Sequence, residues 1–262
     1  MVASLGDVNG DGYEDVALVG AATSVYHGSA AGLRAVADWS VPKVGSVAGG
    51  DVNGDGFDDL VLGDGGAQGG RGRAWVYLGS AAGLAADPVW TDSQSDGGDD
   101  RYGTNVATLD VNADGLHDIA ISANDWPGGG RAFVYLGTPR GLLRTPSWYA
   151  VGVGSSAYHD NLGAGDLNGD GFDDLVIGND LASDPELQEG AVSVYLGSAA
   201  GLPAAPVWTG ESDLVAARFG WGVATGDVDG DGLDDLVVGA PNQANAFLAP
   251  QGAVYVYLGN AP

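Results

Sequence analysis

Asp227-Val228-Asp229-Gly230-Asp231-Gly232-Leu233-Asp234-Asp235, or DVDGDGLDD, carries a side-chain oxygen at its first, third, fifth and ninth positions and glycine at its sixth. The pattern recurs as DVNGDGYED from Asp7, DVNGDGFDD from Asp51, DVNADGLHD from Asp110 and DLNGDGFDD from Asp166. Oxygens at alternate positions of a tight loop can converge on one point, and carboxylates with an amide oxygen are the donors that a hard cation such as calcium takes. The expected ligand sets are Asp7, Asn9, Asp11 and Asp15; Asp51, Asn53, Asp55 and Asp59; Asp110, Asn112, Asp114 and Asp118; Asp166, Asn168, Asp170 and Asp174; and Asp227, Asp229, Asp231 and Asp235. Gly12, Gly56, Gly115, Gly171 and Gly232 suit the sharp turn at position six. The seventh residue, Tyr13, Phe57, Leu116, Phe172 or Leu233, then offers its backbone carbonyl.

An EF-hand would need a bidentate Glu at position twelve and flanking helices. Position twelve is instead Leu18, Leu62, Ile121, Ile177 or Val238, inside runs such as DLVLG, DIAIS and DLVVG. Those runs predict that each loop leads into a buried strand. Asp, Asn and Gly also make ordinary turns, but five copies with the same four oxygen positions point to a shared metal loop.

The formal net charge is −26, and twenty of the thirty-five acidic residues fall in the five nine-residue windows. Such crowding calls for divalent counter-ions and speaks against nucleic acid or an anionic membrane as partner. Five calcium ions would leave a net charge of about −16. There is no cysteine, so disulfides contribute nothing. No apolar run reaches the ~18 residues of a membrane span, so membrane insertion is not expected. The chain enters its first motif almost at once, which places any targeting segment outside the sequence.

A second repeat runs in step with the first: SVYHGSAAGL from Ser24, WVYLGSAAGL from Trp75, FVYLGTPRGL from Phe133, SVYLGSAAGL from Ser193 and YVYLGNAP from Tyr255. It reads as a strand closed by a turn. A fourth strand follows in four units, marked by Trp39, Trp90, Trp148 and Trp208, and a segment of small residues precedes each loop. Successive first aspartates are 44, 59, 56 and 61 residues apart. Four strands per repeat at that period, without helical periodicity, predict an all-β chain: a single β-propeller domain over residues 1–262. Its five four-stranded blades would span approximately 1–43, 44–98, 99–153, 154–212 and 213–262, each with a calcium loop between strands one and two and the last without its outer strand. Trp75, Phe133 and the four fourth-strand tryptophans are expected between blades, and Phe219 and Trp221 as packing residues.

Arg218-Phe219-Gly220, the DVDGDGLDD loop and VVGAP from Val237 to Pro241 together resemble the FG-GAP repeat of integrin α-subunit propellers and of bacterial and fungal relatives that include certain lectins. The resemblance covers essentially the whole chain. Its motifs are sharpest in the fifth unit, since Tyr102-Gly103 and Leu162-Gly163 stand for Phe-Gly in the third and fourth. It implies five structural Ca²⁺ sites and an adhesion module acting in recognition outside the cytoplasm, extracellularly or at the cell surface.

The calcium loops barely vary, whereas the loops between second and third strands differ widely, and recognition belongs on variable loops over a rigid scaffold. Trp126 and Arg131, then Arg71 and Arg73, are the candidates there, because an aromatic beside a guanidinium can stack on a sugar or hold a carboxylate. The expected partner is a glycan or a protein. The alternatives are a structural scaffold or the propeller portion of a polysaccharide-degrading enzyme. His27, His117 and His159 form no repeated cluster and no nucleophile has an evident base, so an enzyme is not expected. In the third loop, Ala113 replaces the fourth-position glycine and His117 an acid, which predicts the weakest of the five sites. In the last blade Val254, Tyr255, Val256, Tyr257 and Leu258 form an unpaired edge, which predicts self-association.

Overall fold

The computed structural model describes residues 1–94, 98–125, 129–152, 161–183, 185–243 and 251–260. Neighbouring strands pair antiparallel in the first, second, fourth and fifth sheets, and the strand order repeats. The first sheet is β1 (Val2–Gly6), β2 (Asp15–Val19), β3 (Ala22–Tyr26) and β4 (Trp39–Pro42). The second is β5 (Ser46–Gly50), β6 (Asp59–Asp64), β7 (Arg73–Tyr77) and β8 (Trp90–Asp92). In the third, β9 (Tyr102–Leu109), β10 (Asp118–Ala123) and β11 (Arg131–Tyr135) are followed by a small ribbon of β12 (Gly137–Thr138) and β13 (Gly141–Leu142), and β14 (Trp148–Val151) closes the sheet. The fourth is β15 (Leu162–Gly165), β16 (Asp174–Asn179), β17 (Ala191–Tyr195) and β18 (Trp208–Glu211). The fifth has three strands, β19 (Gly222–Gly226), β20 (Asp235–Ala240) and β21 (Ala253–Tyr257). No helix among the described residues is long and apolar enough to cross a membrane.

Each DxNGDGxxD loop joins the first strand of its sheet to the second. The register makes the loop tight, because the ninth-position aspartate pairs with the glycine just before the motif: Gly6 with Asp15, Gly50 with Asp59, Gly165 with Asp174 and Gly226 with Asp235. The second strand is the most buried in the second to fifth sheets, as its run of Val, Leu and Ile requires; β10 and β16 are buried at every position.

The chain divides into two compact units. One comprises Met1–Thr108, Gly115–Ala123 and Val134–Ser147, with a core of Leu5, Val8, Val25, Val47, Leu60 and Leu62 among others. The other comprises Leu109–Asp114, Asn124–Phe133 and Trp148–Pro262, with a core that includes Val176, Val192, Phe219, Leu236 and Val238. Innermost strands approach closely through small residues: a Cβ on Gly49 would lie 2.2 Å from the Leu5 carbonyl oxygen.

The fourth-strand tryptophans form a repeated clasp within these units. Trp39 meets Tyr77 edge-on at 4.9 Å, Trp90 meets Tyr135 at 5.1 Å, Trp148 meets Tyr195 at 4.9 Å and Trp208 meets Tyr257 at 5.0 Å. In three of the four, the indole Nε1–H also donates to a carbonyl of the next repeat, that of Ala85, Leu143 or Pro203. Phe219 is fully buried, as expected. Trp221 is not a packing residue: it is 48% exposed, because the chain turns at Arg218–Trp221 before entering β19. In β21 the two faces differ, with Tyr255 and Tyr257 on the core of their unit and Val254 and Val256 on the exposed side.

Candidate metal centres and the loops opposite them

The five acidic loops share one hydrogen-bonded fold built around the first-position carboxylate. In the second loop the Asp51 carboxylate accepts from the Gly54 N–H at 2.7 Å and the Gly56 N–H at 2.8 Å. The third-position oxygen accepts from the fifth-position N–H, Asp55 to Asn53 at 3.0 Å, and the Asp55 carboxylate accepts from the Phe57 N–H at 3.1 Å. The fourth and fifth loops repeat the two bonds to the first position, through Gly169 and Gly171 on Asp166 and through Gly230 and Gly232 on Asp227. The first loop directs Asp11 and Gly12 N–H groups at Asp7, and the third directs Asp114 N–H at Asp110. The side chains of positions one, three and five are thus tied to backbone N–H groups of their own loop. In the fifth loop, where position three is also an aspartate, carboxylate oxygens of Asp227, Asp229 and Asp235 lie within 4.8 Å of one another.

The ninth position has a second duty that the spacing does not disclose. Asp15, Asp59, Asp118, Asp174 and Asp235 are all fully buried. One oxygen accepts from the residue-two N–H of the same loop, as Val52 to Asp59 at 3.0 Å and Val228 to Asp235 at 2.8 Å. The other accepts from the glycine two residues past strand three: Gly28, Gly79, Gly137, Gly197 and Gly259, at 2.8–2.9 Å. The carboxylate therefore ties the loop to the third strand of its own sheet. Each oxygen retains a second acceptor site, so this bonding leaves room for a cation. Burial pushes the Asp59 carboxyl up to about 7 and that of Asp174 up to about 6. Burial also acts upward on Asp7, but N–H donors led by Gly12 and Asp11 outweigh it and lower that carboxyl. Asp235 is lowered, chiefly by the Gly259 N–H.

Position eight links successive repeats. The Asp58 N–H donates to the Asp7 carbonyl at 3.1 Å while its carboxylate accepts from the Asp7 N–H at 2.7 Å. Asp173 treats Asp110 in the same way, at 3.0 and 2.8 Å. His117 N–H donates to the Asp51 carbonyl, and its ring lies against Gly50, where an added Cβ would meet Cγ at 2.8 Å. His117 therefore faces the preceding repeat rather than its own loop, as Asp58 and Asp173 do. What does distinguish that loop is Ala113, held at φ 53° where the other four loops have glycine. A left-handed alanine costs about 1–2 kcal/mol. Ala113→Gly is expected to raise the unfolding free energy by about 1 kcal/mol, read from the urea midpoint; an unchanged or lower midpoint would show that no strain is held there.

On the second-to-third-strand side, the predicted residues separate. Trp126 lies outside the described residues. Arg131 opens β11, with its guanidinium 5.3 Å from the centre of the Tyr149 ring, so it packs along the sheet instead of standing in a loop. Arg73 opens β7 and is half-buried, whereas Arg71 is exposed in the loop before it. The pairing of an exposed aromatic with a guanidinium occurs elsewhere: Arg218 lies 5.3 Å from the Trp221 ring and forms an ion pair with buried Asp180 at 3.2 Å. The signal was available in the sequence, since Arg218 and Trp221 flank Phe-Gly. His27 lies near Asp38 in the first repeat, His117 lies in the third, and His159 falls outside the described residues.

The FG-GAP repeat model matches residues 160–195 and 219–257, and the FG-GAP-like repeat model matches residues 7–62 and 110–177. The chain belongs to the FG-GAP repeat family. All five acidic loops of this FG-GAP chain fall inside the matched segments. Integrin alpha-V of Gallus gallus is 33% identical over 183 residues, covering 67% of the chain and 17% of that relative. Integrin alpha-4 of Xenopus laevis is 41% identical over 98 residues, 37% of the chain and 9% of the relative. A phosphatidylinositol-glycan-specific phospholipase D of Dictyostelium discoideum is 34% identical over 119 residues, 40% of the chain and 13% of the relative. The FG-GAP chain thus spans less than a fifth of the length of these relatives.

Proposed function

We propose that this chain is a Ca²⁺-stabilised β-propeller module of five blades that recognises a protein or glycan outside the cell and catalyses no reaction. The observation that carries the calcium reading is the common loop fold, which ties the side-chain oxygens of positions one, three and five to backbone N–H groups of their own loop, with Asp227, Asp229 and Asp235 brought within 4.8 Å of one another in the fifth. The donor set fits a hard cation: three or four carboxylates with an amide or carbonyl oxygen, and no nitrogen or sulfur. Asp7, Asn9, Asp11 and Asp15, with the Tyr13 carbonyl, would hold the ion in the first repeat, and the corresponding residues would do so in the other four. Bound calcium would neutralise charge concentrated in the loops, where no Lys or Arg occurs within any of the nine-residue windows.

The extracellular adhesion reading draws on the integrin relatives, and binding is assigned to two places taken separately: Arg71 in the loop between β6 and β7, and the Trp221–Arg218 pair in the turn that precedes β19. A non-catalytic role is supported by the repetition of the acidic loops, since structural ligands recur in every unit and an active site does not. The test is attachment of cells to a surface coated with the full chain in calcium. Attachment that is lost on Arg71→Ala with Trp221→Ala, and reduced by protease or glycosidase treatment of the cells, is expected. Attachment unchanged by the double variant would remove the assigned places, and turnover of a glycosylphosphatidylinositol or acidic polysaccharide substrate would overturn the non-enzymatic reading.

A further inference from the structure

We infer that the calcium sites of successive loops are coupled in neighbouring pairs, because the carboxylate at position eight of one loop is a positioning residue for the first ligand of the loop before it. The inference rests on the calcium reading of the loops. Asp58 grips Asp7 on both sides of its Cα: the Asp58 N–H donates to the Asp7 carbonyl at 3.1 Å, and the Asp58 carboxylate accepts from the Asp7 N–H at 2.7 Å. Asp173 holds Asp110 by the same two bonds, at 3.0 and 2.8 Å. The Asp234 N–H reaches the Asp166 carbonyl at 3.0 Å. Its carboxylate lies against Gly165 as that of Asp58 lies against Gly6, so that a Cβ on either glycine would overlap it. Each of these links lies inside one compact unit.

A second clamp runs beside the first. Asp59, the ninth-position ligand of the second loop, accepts from the Gly79 N–H, and the next residue, Ser80, donates to the Val8 carbonyl at 3.1 Å. Asp58 along the chain and Ser80 through Gly79 thus flank one ligand of the second loop and fix positions one and two of the first. The arrangement recurs with Asp174, Gly197 and Ser198 on Val111, and with Asp235, Gly259 and Asn260 on Leu167. An ion that draws Asp59 and its loop together restrains both clamps, so the preceding loop loses less freedom when it binds in its turn. The coupling is reciprocal, and an ion in the first loop favours the second by the same factor. The joint from the third loop to the second is built differently. His117 and Thr138 keep the main-chain bonds to Asp51 and Val52, but position eight carries an imidazole packed against Gly50 in place of a carboxylate. Filling is therefore expected to divide between loops one and two and loops three to five.

Titration of the full chain with terbium, a luminescent substitute for calcium, reads the first loop when it is excited through Tyr13. Position seven is tyrosine there and Phe or Leu in the other four loops, and a Tyr13→Phe chain gives the background. Asp55→Ala, which disables the second loop through an exposed ligand, is expected to weaken terbium at the first loop about fivefold or more, over and above the loss of the second site itself. In an Asp58→Ala chain the first loop is expected to bind more weakly at the outset, and Asp55→Ala to weaken it no further. Asp58→Asn, which keeps an oxygen for the Asp7 N–H, is expected to restore the dependence. Asp114→Ala, two joints away, should leave the first loop unchanged. Should Asp58→Ala lose its folded circular dichroism, Asp55→Ala set against Asp114→Ala decides alone. First-loop affinity that Asp55→Ala leaves unchanged, lowers no more than Asp114→Ala does, or lowers equally in the Asp58→Ala chain would overturn the coupling while the calcium reading stands. No terbium signal through Tyr13 would strike the calcium reading and the coupling with it.

Discussion

Asp59→Ala is expected to lower the unfolding free energy by about 4 kcal/mol already in chelator, because it strands two buried backbone donors, each in a charge-assisted bond of roughly 1.5–3 kcal/mol. The Val52 and Gly79 N–H groups both lie on this one carboxylate, at 3.0 and 2.8 Å, and no water can replace it where the side chain is fully buried. Asp55→Ala in the same loop is expected to behave in the opposite sense. Its carboxylate is exposed and bonded only locally, so in chelator the loss should stay under about 1 kcal/mol. In calcium it should lose the increment of one site in addition, about 1.4 kcal/mol at tenfold excess over Kd. Urea unfolding of both variants in the two conditions separates the roles. Equal losses in chelator would show that the ninth-position aspartate is not a tie between loop and third strand.

The second large effect is expected at the tryptophan clasp. Trp90 is buried, meets Tyr135 edge-on and donates its indole N–H to Leu143 at 3.1 Å. Trp90→Ala should cost about 3–5 kcal/mol, the range for removing a large buried aromatic. Trp208 has the matching ring contact to Tyr257, but it is half-buried and lines an open groove of about 360 Å³ with Leu167, Leu236 and Asn260. Trp208→Ala should therefore cost about half as much, since less surface returns to water and no indole hydrogen bond to a described residue is broken. If Trp208→Ala proved the more damaging of the two, the clasp would not be what fastens neighbouring sheets.

The fold was legible because its signals are local and repeated. The nine-residue loop, the aromatic strand ending in glycine and the lone tryptophan each fix a strand boundary by turn chemistry or alternation, and all three recur in step. The structure places them in that order in four sheets and omits the fourth strand in the fifth. The site was legible only in part. Oxygen spacing identifies positions one, three, five and nine, but it does not show that the ninth carboxylate is engaged by a glycine some thirteen to twenty-four residues away. Nor could it show that position eight faces the preceding repeat, because Asp58, His117 and Asp173 find partners 51 to 66 residues earlier through the stacking of sheets. Trp221 and Arg131 exchanged roles for a similar reason. A Gly-rich neighbourhood suggests an exposed loop, yet Arg131 is the first residue of a strand, while Trp221 stands out from the turn that precedes one.

Thermal unfolding at constant ionic strength, with millimolar calcium against excess chelator, tests the central claim most directly. Sites at the tight end of the extracellular range, Kd near 10⁻⁴ M, contribute about 1.4 kcal/mol each at ~1 mM calcium. Five independent sites then add at most about 7 kcal/mol, and at roughly 2–4 °C per kcal/mol the Tm should rise by about 10 °C or more. A Tm that is the same in calcium and in chelator would contradict calcium as the ion that these five loops are built to hold.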